Sequence, residues 1–316
     1  MCQPQVHLAF CMYGERAAQG TFMYALRLIL FGLAAASITF YLAFSPLFGM
    51  HLYDHVLFQP LVYPQGNYKL EWVAGVKRQE VYFPTTGDKH LHGWYFQHKS
   101  PVRTVLVNHG NGGNLTHRLY VAQHLLTAGC SVFLYDYQGY GRSEGSPSLG
   151  GVCADAIAAY KYLTHDLKIP PEDIVLYGES LGTGVTCEVL SSCPCSAVVL
   201  NSSFYSLEDI SRRTLGFLNF YPSWMFPTPA LNNASVVRNP HPPLLMLHGI
   251  DDELCKVAQA QSLFEVAAQP KTLVLMAGVG HNGLATHPDF DPAIRSFLGG
   301  LAHSTPATMT SSAAVH

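Results

Sequence analysis

Apolar positions along the chain fall into two regimes. From Leu28 to Met50 no charged residue occurs, and Leu28 to Ser45 (LILFGLAAASITFYLAFS) is almost wholly apolar. At roughly 1.5 Å per residue this run reaches roughly 27 Å as a helix, close to the thickness of a hydrocarbon core. Tyr41 lies near its far end, and Pro46 and Gly49 follow as stops. Beyond the aromatic connector 51–67 the apolar runs shorten to strand length and alternate with longer mixed stretches.

That alternation predicts a parallel sheet built from right-handed βαβ units. Val81–Phe83 and His90–Phe96 flank the turn Thr85-Thr86-Gly87-Asp88 and read as an antiparallel hairpin. Thr104–Asn108, Val132–Asp136, Ile174–Tyr177, Ala197–Asn201, Leu244–His248 and Thr272–Met276 read as strands covered on both faces. Helices are expected near 116–128, 150–164, after residue 180, near 255–267 and near 291–302. The chain therefore reads as a short N-terminal segment (1–27), a transmembrane anchor (28–50), a connector (51–67), an α/β domain (68–302) and a disordered tail (303–316). An aromatic excursion over 203–240 forms a small cap.

A cleaved signal peptide and a buried helix compete for 28–50. A signal's apolar region is shorter, and Ala43-Phe44-Ser45 would place Pro46 just after the cut. The α/β pattern is complete without the segment, which argues against a core helix. Arg16 and Arg27 precede the run, and the next Lys or Arg is Lys69, which favours a cytoplasmic N-terminus with the domain on the periplasmic or lumenal side. Cys2 and Cys11 read as free thiols, with acylation as the alternative.

Composition adds exclusions. Charged residues are only 12% of 316 and the net charge is -3, with no basic cluster that would suggest nucleic acid. Eight cysteines are too scattered for a disulfide scaffold, and Cys193-Pro-Cys195 reads as a turn, not a metal site.

The candidate chemistry collects at strand ends. Gly178-Glu179-Ser180-Leu181-Gly182 puts Ser180 on a sharp strand-to-helix turn that exposes its hydroxyl. Gly178 and Gly182 permit the turn. Serine needs a base and an orienting acid. His281, in Gly280-His281-Asn282 after the last apolar strand, is the candidate base among sixteen histidines. Asp251 and Asp252 both follow the strand ending at His248, and either could orient it. His109-Gly110-Asn111-Gly112-Gly113-Asn114 enters a helix from a strand, so the Asn111 and Leu181 N–H groups are candidate oxyanion donors. A phosphate loop is the rival there, but Gly-Lys-Ser/Thr is absent and the spacing is not GxGxxG. Asp136 precedes the serine and reads as a loop brace, and His109 and His248 as structural hydrogen-bonders. Phe204, Tyr205 and Trp224 in the cap are candidates for an acyl pocket, against plain cap packing.

HGNGGN, DYQGYGRSEG, GESLG, HGIDD and GHN, in this order, resemble the α/β-hydrolase fold over residues 68–302, and most closely the membrane-anchored bud-emergence-type subfamily of α/β-hydrolase-domain proteins. Gln138 stands where that subfamily usually has arginine, and Gly112 where alanine is common. The resemblance implies a Ser180–Asp252–His281 triad, Asp252 being favoured by its spacing from His248. It implies a serine hydrolase of the carboxylesterase, lipase or thioesterase type acting on small-molecule or lipid acyl substrates, with no metal or organic cofactor. A peptidase is the second enzymatic reading. An inactive binding protein on the same fold is the non-enzymatic one, which the presence of all three candidates disfavours.

Overall fold

The computed structural model describes residues 5–48 and 50–301, and the side chains of 22–48 and 53–301. Cys2, Gly49 and the tail expected over 303–316 lie outside the described residues, as does the Cys11 side chain. The chain divides into two compact units, Met1–His51 and Leu52–His316.

In the first unit one helix, α1 (Gln5–Ala43), contains the apolar stretch Phe22–Ala43. Its 22 residues are exposed along their whole length. The helix ends at Ala43, before the 28–50 window expected from charge alone closes. The apolar stretch takes in Arg27 near its start. At its end Ser45 Oγ folds back onto the Leu42 carbonyl and accepts the Phe48 N–H, replacing helical bonds with a turn at Pro46. Within it, the Ser37 and Thr39 hydroxyls donate to the Leu33 and Ala35 carbonyls, so these side chains need no water.

The second unit is organised on a nine-stranded sheet. Its strands are β2 (Trp72–Val73), β3 (Val76–Thr85), β4 (Lys89–Phe96), β5 (Thr104–Asn108), β7 (Ser131–Tyr135), β8 (Ile174–Glu179), β9 (Ala197–Asn201), β10 (Leu244–Gly249) and β11 (Lys271–Met276). The order is β11-β10-β9-β8-β5-β7-β4-β3-β2. The six strands from β11 to β7 run parallel, and the predicted hairpin β3–β4 joins them antiparallel through β7. Val105, Leu106 and Val107 are all buried, as expected of a strand with helices over both faces.

From β5 the chain moves to β7 on one side, then returns to β8 on the other. The crevice between β5 and β8 is thus the switch point at which ligands settle in such sheets. Asn108 pairs with Gly178 there, so the Gly-rich loop after β5 and the turn after β8 emerge side by side.

The predicted helices form with local adjustments. The first begins as a 3-10 turn (Leu115–Arg118) capped by Asn114 and continues as α3 (Leu119–Thr127). The second, α4 (Leu149–Lys161), ends in a π turn. Then come α5 (Leu181–Leu190), α8 (Val257–Val266) and α9 (Phe290–Leu301). The connector carries structure that its composition does not signal. Helix α2 (Met50–Leu57) leads into β1 (Gln59–Pro60), which pairs with β6 (Gly112–Gly113) inside the Gly-rich loop.

Between β9 and β10 lie α6 (Leu207–Thr214), two 3-10 turns and α7 (Asn233–Val237). Leu218, Tyr221 and Met225 make a small core there with Leu215, Phe226 and Tyr53. Arg212 closes this cap, stacking 4.4 Å over Phe226 and donating to Glu208 Oε1 and to the Leu218 and Tyr221 carbonyls.

Candidate active site

Ser180 sits between β8 and α5 with φ 52° and ψ -120°, a conformation that costs a non-glycine residue of order 1–3 kcal/mol and turns its side chain out of the sheet. Tight packing enforces the turn. A Cβ on Gly178 would stand 2.5 Å from the Gly182 carbonyl oxygen and 2.6 Å from Thr186 Oγ1, and one on Gly182 would collide with the Asn108 carbonyl oxygen. The Ser180 N–H donates to the Asn201 carbonyl at 2.9 Å, tying the turn to β9.

His281 Nε2 lies 2.8 Å from Ser180 Oγ, and its Nδ1 lies 2.7 Å from Asp252 Oδ2. An ionised carboxylate only accepts, which assigns the proton to Nδ1 and leaves Nε2 to accept from the serine hydroxyl. The other oxygen, Asp252 Oδ1, accepts the Leu254 and Cys255 N–H groups at 2.9 and 2.7 Å. Between Asp251 and Asp252 the structure therefore brings the buried Asp252 to the histidine, while Asp251 is exposed. The Ser202 hydroxyl holds the His281 carbonyl at 3.1 Å. This chain of contacts can draw a proton from Ser180 and hold the resulting imidazolium against a carboxylate.

Asp252, Cys255 and His281 also offer atoms within 4.8 Å of one another that could ligate a metal. Both Asp252 oxygens are taken up by the hydrogen bonds above, and burial pushes the Cys255 thiol up to about 12, followed by the charge of Asp252. Asp252 and His281 are arranged to hold a proton between oxygen and nitrogen, and Cys255 contributes its backbone N–H to Asp252 Oδ1.

The loop after β5 faces the serine. A Cβ on Gly110 would stand 3.4 Å from Ser180 Cβ. The Asn111 carbonyl accepts from the Gln59 N–H at 3.0 Å and the Tyr140 hydroxyl at 2.6 Å, and its Nδ2 donates to the Leu57 carbonyl at 3.0 Å. The residue is thereby fixed with its carbonyl and side chain committed to the scaffold.

His109, His248 and Asp136 take the supporting places expected of them. His109 Nδ1 donates to the Gly110 carbonyl at 2.7 Å; burial, then the nearby Arg118 charge, pushes its pKa down to about 3. His248 Nε2 donates to the Cys255 carbonyl at 2.7 Å, which shapes the loop that carries Asp252. Asp136 Oδ1 accepts the Leu115 N–H at 2.6 Å and braces the start of the helix after the Gly-rich loop.

The three cap aromatics do not share one lining. Phe204 is buried behind α5, close enough that a Cβ on Gly184 would touch its ring at 3.0 Å. Tyr205 packs with the cluster under α7 and α8, and Trp224 is 73% exposed. Cap aromatics separated by irregular chain have no common period, so sequence alone could not sort them. A cavity of about 530 Å³ lies at the opposite end of the sheet, between the starts of β10 and β11 and helix α9, remote from the serine.

Sequence reasoning missed a buried ion pair beside the serine. Arg118 Nε lies 3.2 Å from Glu179 Oε1, and Tyr120 donates to Glu179 Oε2 at 2.8 Å. The signal was available in Glu179 itself, a carboxylate at the end of an apolar strand, which burial obliges to find a cation. Which cation could not be read.

Asn114-Leu-Thr116, Asn201-Ser-Ser203 and Asn233-Ala-Ser235 have the Asn-x-Ser/Thr form of glycosylation acceptors, but all three asparagine side chains are buried, and Asn233 Nδ2 donates to the Phe204 carbonyl and Thr183 Oγ1.

Comparison with known proteins agrees with this architecture. Residues 99–242 match the family model described as serine aminopeptidase, S33. An uncharacterized protein of Mycobacterium tuberculosis is 35% identical over 206 residues, covering 65% of this chain and 72% of the relative. The mouse alpha/beta hydrolase domain-containing protein 17C is 30% identical over 234 residues, covering 72% of this chain and 69% of that protein. An esterase of Pyrococcus furiosus, Pf2001, superposes with a TM-score of 0.63 at 20% identity, over 78% of this chain and 98% of its own. A strand-turn-helix serine at the switch point of a mostly parallel sheet and these relatives lead to one assignment: the chain belongs to the α/β-hydrolase family.

Proposed function

We propose that this hydrolase cleaves carboxylic ester or thioester bonds by two-step acyl transfer, with Ser180 as nucleophile. The observation that carries the reading is the unbroken contact chain Ser180 Oγ–His281–Asp252, at 2.8 and 2.7 Å. His281 Nε2 removes the hydroxyl proton as Oγ attacks the acyl carbonyl. Asp252 keeps the imidazole in the required tautomer and stabilises its charged form. The Leu181 N–H at the start of α5 and the Asn111 N–H receive the developing oxyanion; loss of one such donor costs about 3 kcal/mol in related chemistry. The proton on Nε2 passes to the leaving alcohol or thiol. Water then attacks the acyl-enzyme with His281 again as base, and the acid is released. As written, the cycle needs neither metal nor organic cofactor.

The helix segment Phe22–Ala43 serves in this reading as a single-pass anchor. Its exposed apolar surface and internally bonded hydroxyls suit a bilayer, and Arg16 before it and Arg27 within its N-terminal part favour a cytoplasmic N-terminus with the catalytic domain on the periplasmic or lumenal side. A lipid or lipid-like acyl substrate would be within reach of an anchored enzyme.

Amide hydrolysis is the second reading, favoured by the serine aminopeptidase description of the matching family. Full-length protein in detergent, exposed to a fluorophosphonate probe, should label at Ser180, and Ser180→Ala should abolish labelling. Hydrolysis of p-nitrophenyl esters from acetate to palmitate, with palmitoyl-CoA, a lysophospholipid and an aminoacyl-p-nitroanilide alongside, identifies the bond cleaved. Labelling that persists in Ser180→Ala would overturn the mechanism, and a preference for the anilide would replace the ester reading.

A further inference from the structure

Arg118 joins the two loops that meet at Ser180. It ends the 3-10 turn Leu115–Arg118, and its side chain is buried although the residue carries a full charge. Its Nη2 donates to the Gly112 carbonyl at 3.0 Å, on the Gly-rich loop after β5. Its Nε lies 3.2 Å from Glu179 Oε1, on the residue immediately before the serine. The same guanidinium reaches the inner side of that loop: the point where a Cβ on Gly110 would stand is 3.3 Å from Arg118 Nη2, 3.3 Å from the Glu179 carbonyl oxygen and 3.4 Å from Ser180 Cβ. Glu179 is held in turn by the Tyr120 hydroxyl at 2.8 Å. One planar fork thus reaches the loop carrying Asn111 and the elbow carrying Ser180.

An ion pair buried to this extent is poor value as a source of stability, because desolvation cancels most of the attraction. Its geometry offers something else. An oxyanion donor is effective only when its N–H is held within a fraction of an ångström of the developing charge. Gly110 and Gly112 flank Asn111, and glycines alone do not fix a loop. Arginine can contact a carbonyl and a carboxylate at once from a rigid plane, and lysine cannot.

We propose that Arg118 is a positioning residue that clamps the Gly110–Gly112 turn onto the nucleophile elbow, setting the Asn111 N–H against the transition-state oxyanion. The proposal rests on the acyl-transfer reading above. The clamp acts through Gly112 and Glu179 and leaves the substrate untouched, so its removal lowers kcat and leaves KM in place.

The test uses the full-length protein with Arg118→Met, which keeps the volume and loses the fork, and Arg118→Lys, which keeps the charge. Thermal melting and far-ultraviolet circular dichroism report folding. Steady-state hydrolysis of p-nitrophenyl acetate separates kcat from KM. A trifluoromethyl ketone, which forms a hemiketal oxyanion on the serine, reads the oxyanion site directly. Both variants are expected to lose about 30- to 100-fold in kcat with KM within about twofold, and to lose affinity for the ketone by the same factor. If Arg118→Met does not fold, Arg118→Lys decides alone. A folded variant whose kcat and ketone affinity stay within threefold of wild type, or whose loss falls on KM, overturns the clamp. Wild-type protein that resists fluorophosphonate labelling overturns the acyl-transfer reading, and the clamp with it. Wild-type labelling with unchanged Arg118 variants overturns the clamp alone.

Discussion

Two carboxylates at strand ends have histidine neighbours, and the contrast between them is instructive. Asp252, after β10, meets His281 Nδ1 at 2.7 Å, and the far nitrogen of that histidine meets Ser180 at 2.8 Å. Asp136, after β7, lies between His92 Nδ1 and His109 Nε2, each at 3.8 Å and out of hydrogen-bonding range. Both aspartates are fully enclosed, and both accept backbone N–H groups. Burial pushes Asp136 up and His109 down, each toward its neutral form, so this second group is biased against becoming an ion pair. The same residue types at equivalent ends of one sheet make a hydrogen-bonded chain to a serine in one case and a loop brace in the other. What separates them is contact and destination: Asp252 is hydrogen-bonded to a histidine whose far nitrogen reaches Ser180, whereas the histidines beside Asp136 stand off from it and turn their other nitrogens to Glu80 Oε1 and the Gly110 carbonyl.

The comparison is broken most sharply by amide substitution at each site. Asp252→Asn should lower kcat by about 10,000-fold on p-nitrophenyl acetate, because the imidazole then settles in the wrong tautomer. Asp136→Asn should leave kcat within about tenfold while lowering the melting temperature, since it weakens the bond to the Leu115 N–H. Equal kinetic losses in the two variants would erase the distinction.

Next in size is an effect of pH on stability. The unfolded chain protonates His109 near 6.5, whereas the folded protein resists until about 3, so stability present at neutral pH is lost as pH falls through that window. At pH 5 the loss from this residue is about 2 kcal/mol. The raised Asp136 has the opposite sign, its contribution being lost as pH rises above the ordinary carboxylate range. His109→Gln should therefore narrow the gap in melting temperature between pH 7.5 and pH 5, and an unchanged gap would remove His109 from the account. The smallest effect is expected at Trp224, which is 73% exposed. Trp224→Ala should change kcat/KM for acetate esters by less than about threefold and stability by less than about 0.5 kcal/mol. A large loss confined to long-chain esters would return this residue to the acyl pocket.

How much of this was legible depends on the range of the interactions. The elbow could be read because its chemistry is local: two glycines around a serine between a strand and a helix leave few alternatives. Strands such as Thr104–Asn108 were legible because burial on both faces demands an unbroken apolar run. Choosing Asp252 over Asp251 needed family spacing, since neither residue's neighbours in sequence show which will face His281. The pairing of Gln59-Pro60 with Gly112-Gly113 could not be read, because two-residue strands have no period and their partners are remote in sequence. The Arg118–Glu179 contact was hidden for the same reason. The helix Gln5–Ala43 reached further toward the N-terminus than a charge-free window suggested, because one arginine does not end a helix.

The segment between Leu57 and Gln65 has a practical consequence. It supplies the Leu57 carbonyl to Asn111 Nδ2, the Gln59 N–H to the Asn111 carbonyl, the Leu61 N–H to the Gly113 carbonyl, and the Leu61 and Gln65 carbonyls to Asn114 Nδ2. Recognisable hydrolase sequence starts at about residue 68, which is where a truncation for soluble expression would naturally be made. Such a cut would discard five of the hydrogen bonds that shape the Gly-rich loop after β5, and a weakly active truncated enzyme would then report a missing brace rather than a missing membrane.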